Sequence, residues 1–307
     1  MFKKNLENLR TSLQKNNIDI AIISDDDSLY YFTGYFDYLH MSFGRPTLLL
    51  VPKDSDSVLI TPLIDVHLVS KNCPVDKIIT WNDGVGDEWR EHLPKYIKKN
   101  LNIGIEKFKI STLVLNYISS LTEEKFLSNI TPTLDSIRMI KTKEELKIAK
   151  SAGKVAEAMM NAGKEAIGDN VPEYEVALAT SQAGTRKAAE ILKNEFDDSN
   201  MSPLIHFLQI MASGRDLPKT HHRASTKLIK EGDPVFLCFC GMTNFHKFKL
   251  GFDRTFWVKE IRDKSQIKTY ETAVQSQKAA LSVLGPGVKA EDVHAAYADA
   301  IQSAGYP

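Results

Sequence analysis

The chain is poor in cysteine. Three occur in 307 residues, Cys73, Cys238 and Cys240. Their number is odd and their spacing fits neither a disulfide framework nor a zinc motif. Such sparing use suits the reducing cytosol, so the expected location is cytoplasmic. Long hydrophobic runs are missing too. No stretch is long enough to span a bilayer, and the opening MFKKNLENLRTSLQKNN has no apolar core of signal-peptide length, so no membrane association is expected. An excess of either charge is absent: Lys+Arg and Asp+Glu number 39 each, which argues against a broad nucleic-acid-binding surface. There is no low-complexity segment. What remains, 43% hydrophobic and 25% charged residues, is an ordinary globular mix. The length points to two domains.

Phe2, Leu6, Leu9 and Leu13 recur at helical spacing and predict an amphipathic first helix. The short apolar runs IDIAIIS (18–24), TLLLV (47–51), SVLIT (57–61), KIITW (77–81) and NIGIE (102–106) read as buried strands. Charged stretches of helical length separate several of them. The expectation for residues 1–135 is an α/β domain with a mostly parallel or mixed sheet.

The pattern changes near residue 135. Thr142 and Glu145 form a capping box. It opens a helix with the apolar stripe Leu146, Ala149, Ala152, Val155 and Met159. A second helix, VPEYEVALATSQAGTRKAAEILKN, has Pro172 near its first turn. Strand-like runs follow at LIHFLQIMAS, PVFLCFC and FKLGFDRTFWV. Two last helices are broken by Gly285-Pro286-Gly287. The expectation for residues 136–307 is an α+β domain.

Four places carry groups with chemistry. The segment ASGRDLPKTHHRASTKLIKEGD ends one strand and leads to the next. A loop between two rigid strands can hold His221 or His222 over the sheet as a general acid–base; the plainer reading is a surface loop with two histidines. Asp253 falls within an apolar strand pattern, where an ionised carboxylate needs a metal, a cationic ligand or a distant basic residue. Arg254 would face the opposite side. Cys238 and Cys240, two apart on a strand, face one way and read as buried small hydrophobes or as weak soft-metal ligands. Phe43 and Arg45 stand at the mouth of a strand, where an arginine can grip a carboxylate while a ring packs on apolar ligand atoms, or where Arg45 is simply a surface residue.

The segments YYFTGY, RMIKTKEELKIAKSAG, VPEYEVALAT, ASG, EGDPV and GPGVKAEDV, in this order, resemble the pita-bread-fold hydrolases: creatinase, prolidase, aminopeptidase P and relatives. The resemblance runs over essentially the whole chain and is nearest to creatinase-like members. It implies a creatinase-type N-terminal domain followed by a pita-bread domain. It also implies further strands and glutamates past Pro307, so the chain reads as C-terminally truncated. SFGR is similar to the creatinase segment whose Phe and Arg reach a partner subunit's site, which maps onto Phe43 and Arg45. The spacing from Ser213-Gly214 puts His221, not His222, on the family's catalytic histidine. Asp253 matches the acidic residue before RT, a metal ligand in the metallopeptidases and a substrate-binding glutamate in creatinase. Metal-dependent members carry an Asp where this chain has Cys238, and the hairpin here is longer than theirs.

The resemblance therefore implies a C–N hydrolase of a small carboxylate-bearing amidine or amide. His221 would move the proton, Phe43, Arg45 and Asp253 would bind substrate, and a homodimer would share the site, with no metal. The alternatives are an Xaa-Pro dipeptidase or aminopeptidase using manganese or another divalent ion, and a non-catalytic member of the fold.

Overall fold

The computed structural model describes residues 1–36, 44–82, 88–196, 210–219, 221–239 and 243–307. The chain divides into two compact units, Met1–Lys147 and Ile148–Pro307.

In the first unit the elements are α1 (Phe2–Lys15), β1 (Ile20–Ile23), α2 (Asp26–Thr33), β2 (Leu48–Pro52), β3 (Val58–Pro62), β4 (Lys77–Trp81), α3 (Glu88–His92), β5 (Ile103–Ile105), α4 (Thr112–Leu121), β6 (Leu127–Asn129) and α5 (Thr131–Met139). Six strands form one sheet in the order β4-β3-β2-β1-β5-β6. β2 is antiparallel to both β1 and β3, and the other neighbours are parallel. This is the expected α/β domain with a mixed sheet.

Side chains alternate across a strand, and here both faces are covered. Ile20, Ile22, Leu48, Leu50, Ile103 and Ile105 pack with Val114 and Ile118 of α4. Ala21, Ile23, Leu49 and Val51 pack with Leu6, Leu9 and Leu13 of α1 and with Leu29 and Phe32 of α2. Burial on both faces is why these strands read as continuous apolar runs rather than alternating ones.

The second unit takes up most of α6 (Lys143–Ala166) and all of α7 (Glu173–Glu195). The capping box forms as expected: Glu145 N–H donates to Thr142 Oγ1 at 3.2 Å, and Thr142 N–H to Glu145 Oε2 at 2.7 Å. The buried stripe of α6 is Ile148, Ala152, Val155 and Met159, whereas Leu146 is half exposed. Leu146 precedes Ile148 by two residues, about 200° around the helix, which turns it to the far side.

Three strands, β7 (Ile210–Ser213), β8 (Pro234–Cys238) and β11 (Asp253–Trp257), form an antiparallel sheet in the order β11-β8-β7. Between β8 and β11 a hairpin of β9 (Thr243–Phe245) and β10 (Phe248–Leu250) turns at His246 and Lys247, both with positive φ. The run FKLGFDRTFWV is thus two strands, not one. β10 pairs with β9 and β11 with β8, so the chain changes partner at Gly251 and Phe252. Two helices, α8 (Ser265–Val283) and α9 (Ala290–Ser303), flank the Gly285-Pro286-Gly287 break. Among the described residues no helix is long and apolar enough to cross a membrane.

One glycine in the first sheet is required by packing. A Cβ on Gly104, in the middle of β5, would lie 2.5 Å from Ile130 Cγ2 and 3.1 Å from Ile18 Cγ2. Gly104→Ala should destabilise the protein by about 1–3 kcal/mol through overpacking. The check is a lower urea midpoint with an unchanged denaturant slope; a midpoint equal to wild type would refute the close approach.

Candidate active site

The site grows from the register of the small sheet. Cys238 of β8 is paired with Ile210 of β7 on one side and with Asp253 of β11 on the other. Directly opposed residues on antiparallel strands project to the same face, with Cβ atoms about 4.5–5.5 Å apart. Ile210, Cys238 and Asp253 therefore form one row, and Ala212, Phe236 and Thr255 the next. On that face lies a cavity of about 310 Å³ lined by Ile210, Ala212, Leu217, Lys219, His221, Phe236 and Cys238. Its floor is apolar, and among the described residues its titratable walls are Lys219, His221 and Cys238. A somewhat larger cavity, about 340 Å³, lies in the first unit against Arg90, Leu113, Asn116, Tyr117 and Ser120. Among the described residues its wall holds no carboxylate, imidazole or thiol.

His221 sits on the loop that joins β7 to β8, and the structure treats its two histidines differently. His222 is tied to β7: its Nδ1 meets the Met211 carbonyl at 2.9 Å, and its own carbonyl accepts from Met211 N–H at 2.9 Å. A carbonyl only accepts, so Nδ1 carries the proton there. His221 is exposed and lines the cavity. Its φ of 59° is left-handed, an uncommon conformation for a residue with a Cβ, which persists only where the surroundings hold it.

Two carboxylates tie down the loop on either side of His221. Glu173, the first residue of α7 and fully buried, accepts from Ser213 Oγ at 2.7 Å, Ser225 Oγ at 2.6 Å and Ser225 N–H at 3.1 Å. Asp216 accepts from Lys219 Nζ at 2.6 Å and Lys227 Nζ at 2.8 Å. Lys227 also donates to the Ser213 carbonyl. The two ammonium groups, Lys219 first, hold the Asp216 carboxyl well below the ordinary carboxylate range. Gly214 opens the loop with φ +52°, and a Cβ there would lie 2.6 Å from Asp233 Oδ1. That accounts for the Ser213-Gly214 pair.

The residues named from sequence are placed as follows. His221 lines the cavity and Asp253 stands in the row beside Cys238. Asp253 is not inside an apolar strand as its neighbours implied: it is the first residue of β11 and is exposed, because the strand starts only where pairing with β8 starts. Among the described residues its side chain has no ion-pair partner. Arg45 lies in the first unit, ahead of β2, and is partly buried. Phe43 and Cys240 lie outside the described residues. Glu173, Asp216 and Lys227 were not singled out from sequence. The only local signal was a glutamate next to Pro172 at a helix start, which is also where any first-turn acid sits.

A model described as "Creatinase/Prolidase N-terminal domain" matches residues 5–140, and one described as "Metallopeptidase family M24" matches residues 147–307. The chain is 22% identical to "Agropine synthesis cyclase" of Rhizobium rhizogenes, over 100% of this chain and 78% of that protein. It is 24% identical to "Creatinase" of Bacillus sp. (strain B-0618), over 94% of this chain and 67% of that one. It is 27% identical to "Xaa-Pro dipeptidase" of Lactobacillus helveticus, over 98% and 78%. Further Xaa-Pro dipeptidases match at similar identity. Among solved structures, "Prolidase from Pyrococcus furiosus" superposes with a TM-score of 0.77 at 22% identity, over 97% of this chain and 79% of that one, a likeness of fold.

The family name implies a metal, so the donor set matters. Hard divalent ions held in pairs require several oxygen ligands. The cavity row offers one thiol, one imidazole and one neighbouring carboxylate, and no three His, Cys, Asp or Glu side chains converge among the described residues. These residues do not fit an oxygen-ligated metal pair, because the centre of the row is a sulfur.

The loop clamp should be sensitive to acid. Asp216 has a depressed carboxyl, so it contributes stability above the ordinary value of 3.8 that is lost as pH falls through its lower folded value. Asp216→Asn should lower the denaturation midpoint at neutral pH and flatten its fall below pH about 4. Parallel acid limbs for the two proteins would show that the two lysines do not stabilise this carboxylate.

Proposed function

We propose a function from one premise: the chain belongs to the metallopeptidase family M24. It is a hydrolase of that family, and the reading that its own side chains favour is cleavage of a C–N bond in a small amidine or amide that bears a carboxylate. The observation that carries this reading is Cys238 at the centre of the row facing the cavity, between Ile210 and Asp253. A buried thiol there takes away the oxygen donor that a metal pair would use, and leaves proton transfer to an imidazole.

In this reading His221 removes a proton from water as the oxygen attacks the amidine or amide carbon. A C–O bond forms, the C–N bond breaks, and the same imidazole returns the proton to the departing nitrogen. Asp253, exposed and without a basic partner among the described residues, faces the cationic end of the substrate. Arg45 and Phe43, supplied by a second copy of the chain, hold the carboxylate end. The guanidinium can bind both carboxylate oxygens at once.

A second reading is hydrolysis of Xaa-Pro dipeptides with a bound divalent ion. The weight of the relatives' names favours it over the amidine reading. The chemistry of Cys238 weighs the other way. The two readings part on chelation. A panel of N-carboxymethyl amidines and Xaa-Pro dipeptides should reveal hydrolysis that is unchanged after dialysis against a chelator. Dipeptide cleavage that chelation abolishes and manganese restores would establish the second reading. On whichever substrate is turned over, His221→Ala should lower kcat by about 10²–10⁴, the usual worth of a positioned acid–base. Wild-type turnover in that variant would remove His221 from the mechanism.

A further inference from the structure

We infer that Glu173 is the positioning residue for His221, acting through the two ends of the loop that carries it. This rests on the reading above, in which His221 transfers the proton. Glu173 touches neither the cavity nor His221. Its carboxylate spans the loop instead. Oε1 accepts from Ser213, the last residue of β7, and Oε2 accepts twice from Ser225, four residues past His221. The backbone repeats the tie: Glu173 N–H donates to the Lys227 carbonyl and Tyr174 N–H to the Ser225 carbonyl, each at 3.0 Å. These two donors belong to the first turn of α7, where no intrahelical acceptor exists for them. The helix start and the end of the loop therefore satisfy each other.

The geometry matters because of what lies between the anchors. His221 holds a left-handed φ of 59°, a conformation that costs roughly 1–3 kcal/mol and needs its surroundings to impose it. Ser213 and Ser225 are the feet of the loop that imposes it. A carboxylate suits this bridge better than an amide. It is an acceptor at both oxygens, and the Ser225 N–H has nothing to accept with. Glutamine can keep its oxygen on Ser225 only by turning its NH2 to Ser213 Oγ, which must then accept instead of donate, and it takes the charge out of both bonds.

The experiment uses the full chain with 13C-labelled histidine. The His221 ring resonance is assigned by its loss in His221→Gln, and then followed in Glu173→Gln and in Ser213→Ala. A released loop should shift or broaden the His221 resonance in Glu173→Gln while the His222 resonance, tied to β7, stays in place. Where a substrate is turned over, kcat should fall by about 10–100-fold with KM within about twofold, as expected for a displaced catalytic group. Combining Ser213→Ala with Glu173→Gln should add little further loss, since Ser213 acts through the Glu173 carboxylate. An unmoved His221 resonance in a folded Glu173→Gln protein overturns the assignment. So does a fall in thermal midpoint with kcat unchanged, which would mark Glu173 as structural only. The NMR arm needs no substrate. A shifted resonance with no hydrolase activity would therefore uphold the positioning role and reject the hydrolytic reading.

Discussion

The pairing register of β8 is the constraint on which the candidate site depends. Side chains on a strand have a period of two, so a slip of one residue would exchange its faces. The exchange is blocked from behind. Leu237, the neighbour of Cys238, is fully buried, and its Cδ1 lies 2.9 Å from where a Cβ on Gly163 of α6 would sit. With Leu237 committed to the helix side, Cys238 must face the cavity, and Ile210 and Asp253 follow through their cross-strand pairs. A close helix–strand approach on one face of the sheet thus sets the chemistry of the other.

A second constraint orders the loop above that row. Glu173 and Asp216 are both buried carboxylates, and a buried charge is tolerated only where hydrogen bonds or opposite charges compensate it. Glu173 is compensated by two serines and a backbone N–H, Asp216 by two lysines. Each compensation consumes a group on the loop or at its ends, so the cost of burial becomes a restraint on loop conformation. The two histidines diverge under this restraint. His222 is used up on the Met211 backbone, and His221 is left over the cavity with a left-handed backbone.

The cavity itself joins an apolar floor to a polar rim. Ile210, Ala212, Phe236 and Cys238 exclude water from one side, which strengthens any charge interaction made there. Lys219 and His221 stand on the other side, with Asp253 at the exposed end of the same sheet face. A thiol at the centre makes this wall softer and less charged than a carboxylate would. The names of relatives in the M24 family range from dipeptidases to creatinase and a cyclase.

Much of the fold was legible in the residues. The heptad-like spacing of Leu6, Leu9 and Leu13, the five apolar runs of the first sheet, the Thr142–Glu145 box and the Gly285-Pro286-Gly287 break are all set by neighbours within a few positions. Local physics suffices to read them. The cavity was only half legible: the loop and its histidine were visible, and the carboxylate before Arg254 was visible, but not that β11 begins at that carboxylate. Leu146 was misassigned because its exposure depends on which face of α6 is covered, and periodicity alone does not say. By itself the sequence determined the longest helices, five of the six strands of the first sheet and the types of reactive group available. The tertiary structure decided which face Cys238 takes and that Glu173 is bound to both ends of the histidine loop; the choice of His221 over His222 was left open by the residues themselves and came from the family resemblance. The tertiary outcomes depend on bonds and contacts between residues far apart in the chain, such as Glu173 with Ser225 and Leu237 with Gly163, and no local pattern encodes a partner at that separation.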